Sequence, residues 1–183
     1  MHYLTYVFIP QHRDIPKTVA AALRHFGDDY EVEPWERYID ESEIEAMAKH
    51  YGVSRLDLDK LAGLMEDWNG GTGLVKKDGL YARLTYNPNG KWDWYEIGGR
   101  WDGMLSNNTA LARSLLRSPR LEKLLPHDYL TPDGKWHAKA EFISTGWMQG
   151  HMVHTPEGRW MKAFRRALKR WPDHRVICVD RHS

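Results

Sequence analysis

The chain has 183 residues, of which 42% are hydrophobic, 28% are charged and nine are tryptophan, and its net charge is +1. The length suits one domain, and the aromatic content together with the low net charge excludes a disordered chain. No apolar run reaches the roughly 20 residues that span a bilayer, and the single cysteine, Cys178, excludes an internal disulfide and a cysteine-rich zinc site.

The first and last segments predict strands that are covered on both sides. Residues 3–9 alternate along a strand, but both faces of the alternation are largely apolar, and residues 176–179 form a continuous apolar run. Such hydrophobicity is typical of a central strand rather than of an exposed edge. Cys178 lies within this run, so we interpret it as a core residue and not as a nucleophile. A helix is predicted from Ile15 to Phe26, with a proline in its first turn.

The segment 28–68 is acidic and predicts further helices. It contains thirteen acidic and four basic residues. Ser42 and the glutamate three residues later have the spacing of a capping box, so one helix is expected to begin at Ser42 and to end near Gly52. A second helix is expected to begin at Ser54 and to carry apolar residues at helical spacing as far as Trp68.

A hairpin is predicted over residues 80–97. Leu80 to Tyr86 and Lys91 to Ile97 alternate as strands, and the segment between them, 87–90, has the sequence Asn-Pro-Asn-Gly, which favours a turn. The remaining predicted elements are a short helix at 109–116, an extended segment at 136–143, a functional or capping loop at 144–156 and a basic helix at 158–170.

This order of elements is the βαββαβ order of a ferredoxin-like sheet. We therefore predict an α+β protein with one domain, residues 1–183, whose helices lie on one face of the sheet and whose terminal strands pair in its middle. Residues 28–68 and 102–156 are then an acidic helical segment and an insertion. Because 151–183 carries eight basic and three acidic residues, the acidic helices and the basic helix are expected to lie side by side on the sheet and to pair. A free basic stripe would instead indicate nucleic-acid binding.

Segment 87–101 combines aromatic, charged and glycine residues most densely. Two glycines permit positive φ and close backbone approach, and the guanidinium that follows them suits a phosphate. Tryptophan faces beside them could stack on a base, which makes a nucleotide pocket. The ligand-binding candidates are Trp92, Trp94, Gly98, Gly99, Arg100, Trp101 and Trp147. The alternative is a tight hairpin end whose tryptophans fill the core and whose Arg100 pairs with Asp93 or Glu96.

The run from Lys91 to Trp101, KWDWYEIGGRW, is followed later by Gly146-Trp147 and by a C-terminal Val179-Asp180-Arg181-His182. Together these motifs resemble an uncharacterised family of phage and prophage proteins, and the resemblance spans most of the chain. It implies a phage-associated accessory protein with an anti-defence role, in which host signals are intercepted, but it brings no mechanism. The positions that it marks are Trp94, Gly98, Gly99, Arg100, Trp101, Trp147, Asp180 and His182.

Asp180 and His182 share one face of the last predicted strand. A carboxylate and an imidazole placed in this way can form a general acid–base pair, and Glu96 is the third catalytic candidate. His2 comes near them if the terminal strands are neighbours. The alternative is a solvated chain end.

Two further histidines, His151 and His154, raise the question of a metal site. Their spacing would bring them together only on a helix, and Gly150 and Pro156 argue against one. No third ligand is evident nearby, so no metal site is predicted.

Three functions are compatible with these features. The first is binding of a small nucleotide or nucleotide-derived signal, the second is a phosphodiesterase that cleaves such a nucleotide, and the third is an interaction module whose exposed tryptophans contact a host protein. No cofactor and no membrane partner are predicted, and nucleic acid is a less favoured partner. The N-terminal residues lack the basic region and cleavage site of a secretory signal, so a cytoplasmic location is expected. The sequence leaves the oligomeric state open.

Overall fold

The structure is a computed structural model that describes residues 1–146 and 149–183. In chain order, its strands are β1 (His2–Pro10), β2 (Trp35–Tyr38), β3 (Thr72–Lys76), β4 (Gly79–Leu84), β5 (Trp94–Ile97), β6 (Thr109–Leu111), β7 (Asp128–Leu130), β8 (Trp136–Ala138), β9 (Ala140–Gly146), β10 (Gln149–His154) and β11 (His174–His182). Its α-helices are α1 (Ile15–Leu23), α2 (Glu41–Tyr51), α3 (Leu58–Gly63), α4 (Met65–Asn69), α5 (Ala112–Leu116) and α6 (Glu157–Arg170).

Two compact units divide the chain. One consists of Met1–Tyr30, Asn89–Glu141 and His154–Ser183, and the other consists of Glu31–Pro88 and Phe142–Val153. In both units helices pack on β-sheets, so the α+β class is confirmed.

The larger unit is built around the pairing of β1 with β11. The two strands are antiparallel along their whole length, with His2 opposite His182 and Pro10 opposite His174. Within the described residues the sheet has the order β5-β11-β1-β7-β8, and β6 also pairs with β11. The prediction of adjacent terminal strands in the middle of a sheet is therefore confirmed. Because β1 and β7 are parallel whereas the other pairs are antiparallel, the sheet is mixed, and the ferredoxin-like topology is not confirmed.

Helices cover both faces of this sheet, so the prediction of helices on one face is wrong. Phe164 of α6 packs against Tyr6 and Phe8 of β1, within a core cluster that includes Cys178. Val19 and Leu23 of α1 pack on the other face, with the odd-numbered apolar residues of β1. The physical reason is the two-sided hydrophobicity of β1, since each apolar face must be removed from water.

The predicted hairpin of residues 80–97 is not formed. β4 pairs with β2 and β3, whereas β5 pairs with β11, so its two expected strands belong to different sheets. The second strand is also shorter than predicted, because regular pairing begins at Trp94 rather than at Lys91. Turn chemistry at residues 87–90 allows the chain to change direction, but it does not by itself pair the strands on either side.

The smaller unit contains the sheet β2-β4-β3, on which the acidic helices pack. Buried apolar residues of α2, α3 and α4, among them Met47, Leu61 and Trp68, share a core cluster with Leu80 and Leu84 of β4. The basic helix α6 packs on the other sheet. The prediction that the acidic and basic helices lie on one sheet face is therefore wrong, since each set covers the apolar face of its own sheet.

Aspartates, not serines, begin the helices of the acidic segment. The Asp40 carboxylate accepts a hydrogen bond from the Glu43 amide at 2.9 Å, so the N-cap of α2 is Asp40, two residues before the predicted cap at Ser42. Asp57 in the same way begins α3, which was expected to begin at Ser54. Aspartate and serine are similarly good N-caps, which is why the sequence pattern selected the wrong residue. The predicted end of α2 at Gly52 is confirmed by that residue's φ of 65°.

The segment between β5 and α6 contains more strand than predicted. Residues 109–111 form β6, and only 112–116 form a helix. The segment 144–156, which was expected to be a loop, instead contains the end of β9 and all of β10, which pair with each other. In the chain as described, no helix combines the length and the apolar character that a membrane crossing requires.

Candidate two-histidine site

The ends of β1, β5 and β11 bring four chemistry-bearing side chains to one face of the larger sheet. His2 lies opposite His182 in the register of β1 with β11, and His182 lies opposite Trp94 of β5. Asp180 is two residues before His182 and therefore points to the same face. This is also the face that α6 covers farther along the strands, where Cys178 enters the core.

Asp180 provides the buried carboxylate of the site. It is 1% exposed, and its two carboxylate oxygens have different partners. Oδ1 lies 2.9 Å from Nδ1 of His2, and Oδ2 accepts a hydrogen bond from the backbone amide of Arg100 at 3.0 Å. A buried carboxylate with hydrogen bonds to both oxygens is held in one orientation, and it can in turn fix the ring of His2.

The glycine pair before Arg100 makes this hydrogen bond possible. Gly98 and Gly99 have φ angles of 79° and 51°, in the region that glycine favours. A Cβ at Gly99 would lie 2.4 Å from the Cβ of Asp180, and a Cβ at Gly98 would lie 2.4 Å from Nδ2 of Asn108. Both glycines are therefore required by close approach as well as by backbone conformation.

A second histidine–carboxylate pair lies beside the first. Nδ1 of His182 is 2.8 Å from Oδ1 and 3.0 Å from Oδ2 of Asp93. The hydrogen bond from His182 lowers the pKa of Asp93 below its usual value. Nε2 of His182 is 3.2 Å from the nitrogen of Met1.

The two carboxylates orient both imidazoles. An ionised carboxylate can only accept hydrogen bonds, so each histidine donates from Nδ1, which leaves its Nε2 as the atom that takes up or gives up a proton. The ring centroids of His2 and His182 are 5.1 Å apart, and the ring of Trp94 is 6.0 Å from that of His2. The site therefore presents two oriented acid–base groups next to an indole that is 47% exposed.

Comparisons of the chain with protein-family models, with curated proteins and with solved structures gave no significant match.

The structure brings together most of the predicted site at this position. Asp180, His182 and Trp94 share the face, and the Gly98-Gly99 turn supports Asp180. Arg100 contributes its backbone amide, and its side chain is exposed. Among the described residues it forms no ion pair, so the alternative in which Arg100 pairs with Asp93 or Glu96 is wrong.

Four other predicted residues have different surroundings. The indole nitrogen of Trp92 donates to the carbonyl of Leu23, and the ring packs on the α1 side of the sheet. Trp101 packs against the core cluster beneath α6. Glu96 lies opposite Asp180 in the register and is exposed, without a hydrogen bond to the site in the described structure. Trp147 lies outside the described residues.

Asp93 is the site residue that sequence analysis did not assign to catalysis. The sequence presents Asp93 only as a partner of Arg100, and a strand that begins at Lys91 would place its side chain on the face opposite Trp94. Since β5 begins at Trp94, the Asp93 side chain is not bound to that alternation and reaches His182. The backbone amide of Asp93 also donates to the His182 carbonyl, at 3.2 Å, so the pairing of β5 with β11 brings the two residues together.

The residue between the two site residues of β11 anchors the strand from the opposite face. Arg181 is 7% exposed, forms an ion pair with the buried Asp128 of β7, and lies 4.3 Å over the ring of Tyr3. The same guanidinium donates to the carbonyl of Lys91, just before Asp93. These contacts fix the end of β11, and with it the positions of Asp180 and His182.

Other candidate chemistry is not supported by the geometry. Burial, with a smaller contribution from Asp180, raises the pKa of Cys178 to about 12, so its thiol is not a nucleophile at neutral pH. His151 and His154 lie on β10, where a spacing of three places them on opposite faces. Within residues 1–146 and 149–183, no group of three or more His, Cys, Asp or Glu side chains could hold a metal ion.

Proposed function

We propose that this protein binds a nucleotide-derived phosphodiester at the two-histidine site and cleaves it by acid–base catalysis. The observation that carries the proposal is the pair of imidazoles, 5.1 Å apart, each held through Nδ1 by its own carboxylate. Histidine is the most frequent general acid or base, so two neighbouring imidazoles suit a reaction in which one oxygen is deprotonated and another is protonated.

The proposed reaction is a displacement at phosphorus. One imidazole removes the proton of a water molecule through Nε2 while the water oxygen bonds to phosphorus. The bond from phosphorus to the leaving oxygen breaks, and the second imidazole, in its protonated form, gives a proton to that oxygen. Asp180 and Asp93 orient the rings and stabilise each imidazolium when it forms.

Substrate contacts are available around the two rings. Trp94 is exposed enough to stack on a base, and base–aromatic stacking contributes about 1–3 kcal/mol. The exposed guanidinium of Arg100 follows directly on the turn that holds Asp180, where it can bind a phosphate oxygen. This assignment uses the side chain of Arg100 only, because its backbone amide already binds Asp180.

The test is product analysis with cyclic mononucleotides, cyclic dinucleotides and linear dinucleotides. We expect His2→Gln and His182→Gln each to lower turnover by about 100-fold or more, the usual contribution of a general acid or base. His12→Gln is the matched control, since His12 is exposed in the turn after β1. Equal turnover in His182→Gln and in the unmodified protein would exclude the mechanism.

A second candidate function is binding of the same ligands without cleavage. The exposed Trp94 favours it, because stacking needs no catalysis. Calorimetry with the same ligands separates the two functions: saturable binding that is lost in Trp94→Ala, without any product, supports binding alone. If no ligand binds and none is cleaved, both proposals fail.

The interaction-module hypothesis receives less support. Of the tryptophans that the structure describes, only Trp94 is among the exposed large hydrophobic residues. A surface of several exposed tryptophans is therefore not available there to a host protein. The phage association, the anti-defence role and the cytoplasmic location stay predictions.

A further inference from the structure

A separate cavity of about 280 Å³ lies between α6 and the β7–β8 segment of the larger unit. The cavity is open to solvent on one side. Tyr129 in its wall lies opposite Tyr6 of β1, and Tyr6 is four residues from His2. At about 3.3 Å per residue, the cavity is therefore roughly 13 Å along the sheet from the two-histidine site. The cavity is not part of the site described above.

Small residues of α6 leave the space for this cavity. Ala163 and Ala167 are one turn apart on the helix face that lines it. The next core residue, Phe164, is large and fully buried, so the helix packs tightly against the sheet beside the cavity. A longer side chain at Ala163 would occupy this volume.

The walls carry more positive than negative charge. Arg166 and Arg170 extend from α6, Lys135 comes from the turn before β8, and Asp133 is the one carboxylate in the described lining. Asp133 lies 3.6 Å from Arg170, whose side chain is 65% exposed, so this ion pair is loose. With His137 neutral, the lining has a net charge of about +2 at pH 7.

The inner wall of the cavity is aromatic, and ring stacking and hydrogen bonds hold its side chains in place. Tyr129 is 2% exposed and stacks on His137, with ring centroids 4.5 Å apart and planes 16° apart. The hydroxyl of Thr131 donates to Asp133 at 2.6 Å and lies 3.4 Å from Nε2 of His137. Burial lowers the pKa of His137, which keeps the imidazole neutral at pH 7.

We propose that this cavity binds a small phosphate monoester, with Arg166, Arg170 and Lys135 around the phosphate. A phosphate dianion would balance the excess positive charge of the lining, and guanidinium groups bind its oxygens with charge-assisted hydrogen bonds. The volume is close to the lower end of ligand pockets, about 300 Å³, so it suits a sugar phosphate or a mononucleotide rather than a dinucleotide.

The proposal does not depend on the function of the two-histidine site. The cavity shares none of that site's residues, and binding here needs no acid–base group. Variants of α6 therefore test the cavity, and variants of His2 and His182 test the other site, so failure of either proposal is recognisable without the other.

The test is isothermal titration calorimetry with inorganic phosphate, ribose 5-phosphate, adenosine 5′-monophosphate and adenosine. We expect saturable binding of the phosphate monoesters with one site per chain, and none of adenosine. Tighter binding of the mononucleotide than of ribose 5-phosphate would identify the ligand as a nucleotide, and equal binding would identify it as a sugar phosphate.

Matched variants on α6 separate a cavity from a charged surface. Arg166→Gln is expected to weaken binding by about tenfold or more, since it removes a charge-assisted hydrogen bond to the phosphate. Arg165→Gln removes the same charge from the neighbouring residue, which does not line the cavity, and should change affinity less than about twofold. Ala163→Leu should abolish binding without changing charge, with the circular dichroism spectrum unchanged as evidence of folding.

Three results would overturn the proposal. The first is an absence of saturable binding with every phosphate tested. The second is an equal loss of affinity in Arg165→Gln and Arg166→Gln, which would indicate diffuse attraction to a basic helix. The third is unchanged binding in a folded Ala163→Leu variant, which would place the ligand elsewhere.

Discussion

Gly99 and Asp180 approach so closely that the position of a Cβ on the glycine would lie 2.4 Å from the Cβ of the aspartate. The turn at Gly99 therefore fits only against this strand end. Because the next amide, that of Arg100, donates to Asp180, the turn also fixes the carboxylate that orients His2. A backbone feature of the motif and a side chain at the end of the last strand act as one structural unit.

Gly99→Ala is expected to reduce both stability and turnover. Gly103 is a matched control, since it also has a positive φ of 77° but nothing lies within 4 Å of its Cβ position. Gly103→Ala should lose about 1–2 kcal/mol from the left-handed backbone alone. Gly99→Ala should lose about 1–3 kcal/mol more, from the forced displacement of packed groups. Urea unfolding measures the loss of stability in each variant. Equal losses would show that Gly99 is not in close contact with Asp180.

Asp128→Asn is expected to be strongly destabilising. It would leave Arg181 buried without a counter-charge, and breaking a buried pair costs about 3–5 kcal/mol. Asp173→Asn breaks an ion pair with Arg113. The Asp173 side chain is 69% exposed and that of Arg113 is 48% exposed, so this change should cost less than about 1 kcal/mol. The difference in unfolding midpoint between the two variants checks the expectation, and similar midpoints would refute it.

Stability should depend on the ionisation of His137 at mildly acidic pH. Burial lowers the pKa of His137 in the folded protein from the value of 6.5 that applies when it is unfolded. Between these two pKa values the unfolded chain binds more protons, so the free energy of unfolding falls as pH is lowered below 6.5. His137→Gln should make this slope shallower, whereas His12→Gln, at an exposed position, should not. Urea titrations from pH 7 to pH 5 measure the slopes.

Cys178 should resist alkylation in the folded protein. It is fully buried, and its pKa of about 12 leaves little thiolate at pH 8. Iodoacetamide is therefore expected to modify the thiol only after unfolding in guanidinium, as followed by intact mass. Stoichiometric modification of the native protein would show that the strand carrying Cys178 opens readily.

The sequence was informative where hydrophobic pattern determines structure. The two-sided apolar pattern of residues 3–9 predicted a central strand, and the same logic applied at residues 176–179, so the nearness of Asp180, His182 and His2 could be anticipated. Helices on both faces follow from that same pattern, whereas the ferredoxin-like order of elements favours helices on one face only. Local patterns report the environment of a strand more reliably than they report its partner.

Strand partners and polar contacts were less predictable. The Asn-Pro-Asn-Gly turn at 87–90 favoured a hairpin, yet β4 and β5 pair in different sheets, because pairing depends on which apolar faces are buried together. The contact of Asp93 with His182 depends on that pairing and on where β5 begins. The lining of the α6 cavity combines residues 129–137 with residues 163–171, two segments that are distant along the chain, so no local motif marks it.

The separation of His2 from Asp180 has a consequence for when the site can exist. These residues are 178 positions apart, and they meet only through the pairing of β1 with β11. Closing a loop of that length carries a large entropic cost, which is recovered only when the sheet and both of its cores have formed. During synthesis, the chain cannot assemble the site until β11 has left the ribosome. The proposed turnover therefore requires β11 to be paired with β1, and a chain that ends before β11 should cleave no nucleotide.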